Sequence, residues 1–284
     1  MRDKEMVVPE YFRLQQYLER IGLRGALNPD LAIPDLATLA RLHAAHVDAI
    51  PFEGLDPFCG RPVRLDLGAI QDKLVDGRRG GYCFEQNHLF KAALDEIGFA
   101  VTSLAGRVRW MSAPDAPLGP RTHMLLKVDL QEGSYLADVG FGARVLDAPL
   151  LIKPDMDQRT AMGTYRLQEQ GNLLALSARQ ASGWRTMYVF NFEPQIRADY
   201  EIANYFTATN PLAPFSNNLI IERVAADRRY KIANRRFVIE DAAGNISTER
   251  EIENTEDLAM LFEDIFNIQA PVPVAEIFAR IAPV

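Results

Sequence analysis

The spacing of hydrophobic residues divides the chain into a helical first third, a strand-rich middle and a mixed last third. In the first third, apolar residues recur at positions i, i+3, i+4 and i+7, which is typical of amphipathic helices. Asp35 and Asp66 stand where an N-cap is expected, and Gly98 follows the last of these segments. Helices are predicted at residues 10–21, 36–49, 67–76 and 84–97.

From Val101 onward, short runs rich in β-branched and aromatic residues predict strands. These strands are expected at residues 101–111, 122–128, 134–139, 164–168, 173–179 and 184–192. After residue 196 a helix, three strand candidates and two more amphipathic helices follow, the first near Thr255. The pattern therefore predicts an α+β fold with a helical unit at 1–98, an antiparallel sheet or barrel at 99–195 and a mixed unit at 196–284.

Composition narrows the class of protein. The chain has 284 residues, 48% hydrophobic and 24% charged, which are ordinary values for a soluble globular protein. A net charge of −7 argues against nucleic-acid binding. No apolar run is long enough for a membrane span and the N-terminus shows no signal peptide, so we expect a cytoplasmic protein that binds no membrane. Two cysteines and four histidines lack the spacing of a zinc site, so no metal is expected.

Cys83 follows a Gly-Gly pair and opens a predicted helix. The glycines let the backbone turn sharply, because without a Cβ they can take positive φ. A helix N-terminus stabilises an anion, and a thiolate is one. A free cysteine is more often only a small buried residue, so a catalytic role needs a base and an orienting group. His123 and Asp138 are the candidates, in the chain order Cys, His, Asp.

His123 and Asp138 lie on two predicted strands joined by a short polar turn. Side chains of paired strands share a face where residues stand directly opposite one another. A four-residue loop at 129–132 would place these two residues opposite each other, whereas a two-residue turn at 132–133 would place Asp138 opposite Lys127. We predict the four-residue loop, because it brings the imidazole and the carboxylate together.

Several segments of the chain together resemble the arylamine N-acetyltransferase family. The resemblance rests on residues 51–53, 79–87, 106–110, 122–126, 136–142 and 204–211, in the family's order. Two positions depart from the family pattern: Gly54 stands where an asparagine is usual, and Asn210 where a histidine is common. Neither belongs to the set Cys83, His123 and Asp138.

The resemblance implies a fold and a site. The fold is a helical bundle, a β-barrel and an α/β lid around a cysteine-protease-like Cys-His-Asp core. Acetyl-CoA would be the co-substrate, with Thr122, Gly142 and Thr209 as its neighbours. An arylamine, arylhydrazine or arylhydroxylamine would be the acceptor. Its binding site would comprise Phe52, Val108, Trp110, Phe141 and Phe206.

The family chemistry would be a ping-pong transfer through acetyl-Cys83 by a monomer or homodimer. Two other hypotheses use the same residues. A cysteine hydrolase or a transglutaminase-like acyl transferase also employs Cys, His and Asp in this order. A binding module with a relic triad would keep the residues without the chemistry.

Overall fold

The computed structural model describes residues 11–24, 33–110, 112–113, 115–225 and 227–281. Residues 10 and 111, at the ends of two predicted elements, lie outside these ranges. Within them, no helix is long and apolar enough to cross a bilayer.

Helices occupy the four predicted positions in the first third, where a short fifth helix at Leu55–Phe58 replaces a predicted loop, and further helices flank the sheet of the last third. They are α1 (Leu14–Arg20), α2 (Leu36–Ala49), α3 (Leu55–Phe58), α4 (Leu67–Gln71, continued by a π-helical turn, Asp72–Asp76), α5 (Cys83–Ile97), α6 (Arg197–Thr209), α7 (Pro214–Asn217), α8 (Thr255–Met260, continued by a π-helical turn, Leu261–Ile265) and α9 (Val274–Arg280). The side chains of Asp35 and Asp66 cap α2 and α4 by accepting backbone N–H bonds at 2.8 and 2.9 Å. The N-terminal boundaries therefore follow from capping chemistry that is local in sequence.

The strands form two antiparallel sheets. They are β1 (Phe52–Glu53), β2 (Ala100–Val108), β3 (His123–Leu130), β4 (Gly133–Ala137), β5 (Leu150–Leu151), β6 (Asp157–Thr160), β7 (Gly163–Gln170), β8 (Leu173–Gln180), β9 (Gly183–Phe190), β10 (Ile220–Ala225), β11 (Arg228–Ala233), β12 (Arg236–Asp241) and β13 (Ile246–Glu251). The larger sheet, in the order β5-β4-β3-β2-β9-β8-β7-β6, curls into a nearly closed barrel. The smaller sheet has the order β1-β10-β11-β12-β13.

The four strands that the hydrophobic pattern missed are the four sheet edges: β1, β13, β5 and β6. Two of them are only two residues long, and the other two have exposed or half-exposed side chains throughout. An edge strand has a neighbour on one side only, so it needs neither length nor an apolar face. Its formation depends on a partner that is distant in sequence.

The packing joins the three predicted units, whose boundaries remain a prediction. One hydrophobic cluster connects the helices of the first third to β2, β3 and β4. A second surrounds the smaller sheet and includes Leu55 and Phe58 from the first third. A third fills the barrel. Strand β1 leaves the helical region to pair with β10. This crossing places residues from all three regions around one cavity.

The β3–β4 hairpin corrects the predicted register. Leu130 pairs with Gly133, so the turn consists of residues 131–132. Neither the predicted loop at 129–132 nor the alternative turn at 132–133 is present. A two-residue turn matches the strand twist and keeps more residues in the ladder than a four-residue loop. His123 and Asp138 consequently meet diagonally and not directly opposite one another. Asp138 lies just after the end of β4.

Candidate active site

The thiol of Cys83 lies where the helical region meets the barrel. Cys83 is the first residue of α5 and is buried, and its Sγ lies 3.6 Å from the carbonyl oxygen of Thr122. Neither Gly80 nor Gly81 uses the positive φ that is open to glycine. Gly80 instead permits a close approach, because a Cβ there would overlap the carbonyl oxygen of Pro51. Tight packing against β1 therefore sets the position of the cysteine.

His123 joins the cysteine to a carboxylate. Its Nε2 and Asp138 Oδ2 lie 2.7 Å apart, and the ring lines the same cavity as Cys83 and interacts with the cysteine side chain. Burial alone would lower the pKa of His123. The charge and hydrogen bond of Asp138, together with the interactions with Cys83, raise that pKa to about 10. The His123 ring is therefore a positively charged imidazolium at neutral pH.

The Asp138 carboxylate is held by four hydrogen bonds. Oδ2 accepts from His123 and, at 2.8 Å, from the hydroxyl of Tyr188. Oδ1 accepts from the Asn87 amide and the Gly140 backbone N–H, both at 3.0 Å. Burial would raise the pKa of Asp138, but His123 and these donors hold it below the usual value. The carboxylate is therefore ionised and its orientation is fixed.

Asn87 and Gly140 fix the position of the Asp138 carboxylate relative to Cys83. The Asn87 amide also donates to Met124 O at 2.8 Å, and its Oδ1 accepts from Val139 N–H at 3.1 Å. A Cβ on Gly140 would lie 2.7 Å from the Cα of Cys83. Only a residue without a side chain lets the segment after β4 approach α5 this closely.

His43 and Tyr188 are residues near the site that the sequence did not reveal. His43, fully buried on α2, accepts a hydrogen bond from the backbone N–H of Asp138 through Nε2 at 3.3 Å. Tyr188 is on β9, which is separated by β2 from β3, the strand of His123. The strand containing Tyr188 was predicted, but nothing local distinguishes this tyrosine from a core residue.

A buried ionic cluster supports the loop that precedes α5. Lys73 Nζ lies 2.6 Å from both Asp56 and Glu85 carboxylate oxygens. Arg79 Nη2 lies 2.6 Å from Glu53. The cluster connects the turn after α4, the segment after β1 and the start of α5. These ion pairs fix the loop that leads into Cys83 relative to the three neighbouring segments.

A cavity of about 450 Å³ opens above the cysteine and histidine. All five predicted acceptor contacts lie in its wall: Phe52, Val108, Trp110, Phe141 and Phe206. The structure adds apolar residues from α7 and its flanks: Leu212, Ala213, Pro214, Phe215 and Ile220. Trp110 and Phe141 meet edge to face with ring centroids 6.3 Å apart. Such a wall suits a flat aromatic molecule.

The predicted CoA neighbours divide into two groups. Thr122 and Gly142 line the cavity. Thr209 is exposed near the end of α6 and does not line it, and its hydroxyl donates to Tyr205 O at 2.6 Å. Thr207, two residues earlier, is the threonine of this helix that lines the wall.

No cluster of three or more potential metal ligands occurs in the described part of the chain. Both cysteines are free thiols. The base of the apolar cavity presents the Cys83 sulfur, the His123 imidazolium and the fixed Asp138 carboxylate. This arrangement suits nucleophilic acyl transfer, in which the cysteine takes up an acyl group and the histidine moves protons.

Comparison with known proteins gives consistent matches. A family model described as N-acetyltransferase matches residues 35–274. Arylamine N-acetyltransferase of Mycolicibacterium smegmatis is 42% identical over 226 residues, covering 78% of this chain and 80% of that protein. The arylamine N-acetyltransferase / N-hydroxyarylamine O-acetyltransferase of Salmonella typhimurium is 44% identical over 197 residues, covering 69% of each chain. The structure of Mycobacterium marinum arylamine N-acetyltransferase in complex with CoA superposes with a TM-score of 0.88 at 37% identity, covering 94% of this chain and 98% of the other.

Proposed function

Because this chain belongs to the arylamine N-acetyltransferase family, we propose that it transfers an acetyl group from acetyl-CoA to aromatic amines through acetyl-Cys83. The observation that carries the proposal is the position of His123, which is hydrogen-bonded to the fixed Asp138 carboxylate and lines the same cavity as Cys83. We further propose a cytoplasmic location, because the reaction needs a reduced cysteine and reducing compartments keep thiols free.

In the first half-reaction, the Cys83 thiolate attacks the carbonyl carbon of acetyl-CoA and forms a new C–S bond. Backbone N–H groups at the start of α5 stabilise the negative oxygen of the tetrahedral intermediate. The bond to CoA then breaks, and CoA leaves as a thiol after taking the proton of the His123 imidazolium. Asp138 keeps the imidazole oriented in both of its protonation states.

In the second half-reaction, the nitrogen of the acceptor attacks the carbonyl carbon of acetyl-Cys83. The neutral imidazole of His123 takes a proton from the nitrogen, and the cysteine leaves as a thiolate. The products are the N-acetylated amine and the original thiolate–imidazolium pair. The apolar cavity wall favours an aromatic ring and limits the water that could hydrolyse the thioester.

The proposal is tested by trapping the intermediate. Incubation with acetyl-CoA alone should add about 42 Da, one acetyl group, to Cys83 in intact-mass and peptide measurements. Adding an arylamine should remove this mass and give one equivalent of acetylated amine. Cys83→Ala should form no adduct and should show no transfer above the uncatalysed rate.

An adduct on another residue, or none, would contradict the proposal. Rapid loss of the adduct in buffer without an amine would indicate a cysteine hydrolase instead. Transfer that survives in Cys83→Ala would indicate a reaction that does not pass through this cysteine.

A further inference from the structure

Gly54 lies beside the cavity and has no strained backbone that would require a glycine. It follows β1 and precedes α3, with φ −111° and ψ 31°, so its φ is outside the left-handed region that favours glycine. Its N–H donates to Ile220 O at 3.1 Å, and its carbonyl oxygen accepts from Phe58 N–H at 3.1 Å. The backbone is therefore held between the smaller sheet and α3. The lack of a side chain at this position needs another explanation.

The ring of Phe215 fills the space where a side chain of residue 54 would lie. A Cβ there would be 2.9 Å from Cδ1 of Phe215, and 3.5 Å from its Cβ and Cγ. Carbon atoms pack best at about 3.5–4.0 Å, so even a methyl group would displace the ring. The Phe215 ring thus packs directly against the backbone of Gly54.

Phe215 has aromatic neighbours on its other sides and also faces the cavity. Its ring centroid lies 5.7 Å from that of Phe52 and 5.6 Å from that of Tyr82. Both neighbours are buried, and Tyr82 is held further by a hydrogen bond from its hydroxyl to Asn204. Phe215 itself is half-buried and lines the cavity. The cavity is therefore a direction in which the ring can move when the Gly54 side is filled.

We propose that Gly54 determines acceptor size by allowing the Phe215 ring to lie back against the backbone at the cavity wall. This role rests on the proposed arylamine transfer. With any larger residue at position 54, the ring would be pushed into the cavity and would narrow it. Acetylation of Cys83 would be less affected, because the aromatic contacts of Phe215 are with Phe52 and Tyr82 and not with His123.

The test compares a tricyclic acceptor, 2-aminofluorene, with the single-ring acceptor aniline. Gly54→Ala should lower the ratio of their kcat/KM values, tricyclic over single-ring, by about tenfold, mainly because the tricyclic amine binds more weakly and its KM rises. Gly68→Ala is the matched control. Gly68 is also outside the positive-φ region, and its Cβ would meet only Asp66 Oδ1 at 3.7 Å, so the ratio should not change.

Two further variants test the role of the ring itself. Phe215→Leu added to Gly54→Ala should restore the ratio, because the shorter side chain leaves room for the new methyl group. Phe215→Leu alone should raise the ratio by enlarging the cavity, and this variant keeps the proposal testable should Gly54→Ala not fold.

Failure of the Gly54 role and failure of the proposed function can be told apart. Formation of acetyl-Cys83 is measured first in every variant. A native protein that forms no acetyl-enzyme refutes the proposed function. Normal acetyl-enzyme formation with an unchanged ratio in Gly54→Ala, or no increase in Phe215→Leu, refutes only the role of Gly54.

Discussion

Two buried histidines of this protein differ in charge at neutral pH. His123 and His46 are 2% and 0% exposed. The pKa of His123 is raised to about 10, whereas burial lowers the pKa of His46 to about 3. His123 faces the Asp138 carboxylate, while His46 lies between the hydroxyl of Tyr17 at 2.8 Å and the amide oxygen of Gln86 at 2.7 Å. Burial alone favours the neutral ring, and a buried carboxylate reverses that preference.

His46 supports the structure, whereas His123 has a charge available for chemistry. Through Nε2, His46 donates to Gln86, whose amide nitrogen donates to Pro51 O at 2.8 Å and Gly81 O at 3.3 Å. This chain of bonds holds the loop before α5. His43 shares one feature with each of them. Like His46 it is neutral, because burial lowers its pKa to about 4, and like His123 it hydrogen-bonds to Asp138, through the backbone N–H.

Asp138→Asn should have the largest effect, because it would make the surroundings of His123 resemble those of His46. The imidazole would lose its proton and its fixed orientation. We expect kcat/KM for acetyl transfer to fall by about 10³–10⁴-fold. The measurements are steady-state transfer and the rate of Cys83 alkylation by iodoacetamide at pH 7. An alkylation rate equal to that of the native protein would contradict the assigned role of Asp138.

The His123–Asp138 pair also predicts a pH dependence of stability. The folded-state pKa of His123 is above the ordinary histidine value of 6.5, so the stabilisation is fully present below pH 6.5. It is lost as pH rises towards about 10. The melting temperatures of the native protein and Asp138→Asn should therefore differ most near pH 6 and converge towards pH 10. A difference that is constant across this range would show that the pair does not titrate as described.

Tyr188→Phe should have a smaller effect than Asp138→Asn. It removes one hydrogen bond to Asp138 Oδ2 and leaves the ring packed 4.7 Å from that of His123. A hydrogen bond to a charged group contributes about 1.5–3 kcal/mol, so transfer should fall by about ten- to a hundredfold. The pH profile of kcat/KM should move as well. An unchanged profile with reduced melting temperature would indicate only a structural role.

His43→Phe should reduce transfer by about threefold, because it removes a single acceptor for the Asp138 N–H group. His43→Gln retains an acceptor at this position and should recover most of the loss. The measurement is kcat for both half-reactions, with melting temperature as the control. Equal losses in the two variants would exclude the hydrogen bond as the cause.

His46→Gln should have the smallest effect on transfer, which should stay near the native rate at pH 8. Its effect lies in acid stability. In the unfolded chain this histidine binds a proton near the ordinary pKa of 6.5 and in the folded chain only near 3, so the native protein loses stability as pH falls between these values. In His46→Gln, which lacks the imidazole, stability should fall less steeply as pH decreases. Thermal unfolding at pH 4.5 and 7 measures the difference, and an equal slope in both proteins would contradict it.

The sequence was sufficient to find the candidate reacting residues. Cys83 could be assigned to the first turn of a helix because capping and apolar spacing are local signals. The chain order and the neighbouring motifs then selected His123 and Asp138 from among other polar residues. All five predicted aromatic and aliphatic acceptor contacts line the cavity, since the motif positions correspond to a shared fold.

The sequence was not sufficient for details that depend on distant partners. The hairpin register was wrong because it depends on which turn fits the twist of the paired strands. The sequence also did not show that Thr207 lines the cavity wall, because the direction of a side chain on α6 depends on how the helix packs. Thr209 as a neighbour of CoA stays a prediction. Tyr188, from β9, and His43, from α2, meet Asp138 only after the sheet and helix have packed.

The helix starts, the central strands and the identity of the Cys-His-Asp set follow from the order of residues alone. They depend on caps, periodicity and neighbouring motifs, which operate over a few positions. The charge of each buried histidine emerged only from tertiary packing, because that charge depends on which distant group lies beside the ring. The same holds for Gly54, which the sequence showed only as a departure from a motif. Its significance follows from Phe215, 161 residues later, whose ring occupies the space of the missing side chain.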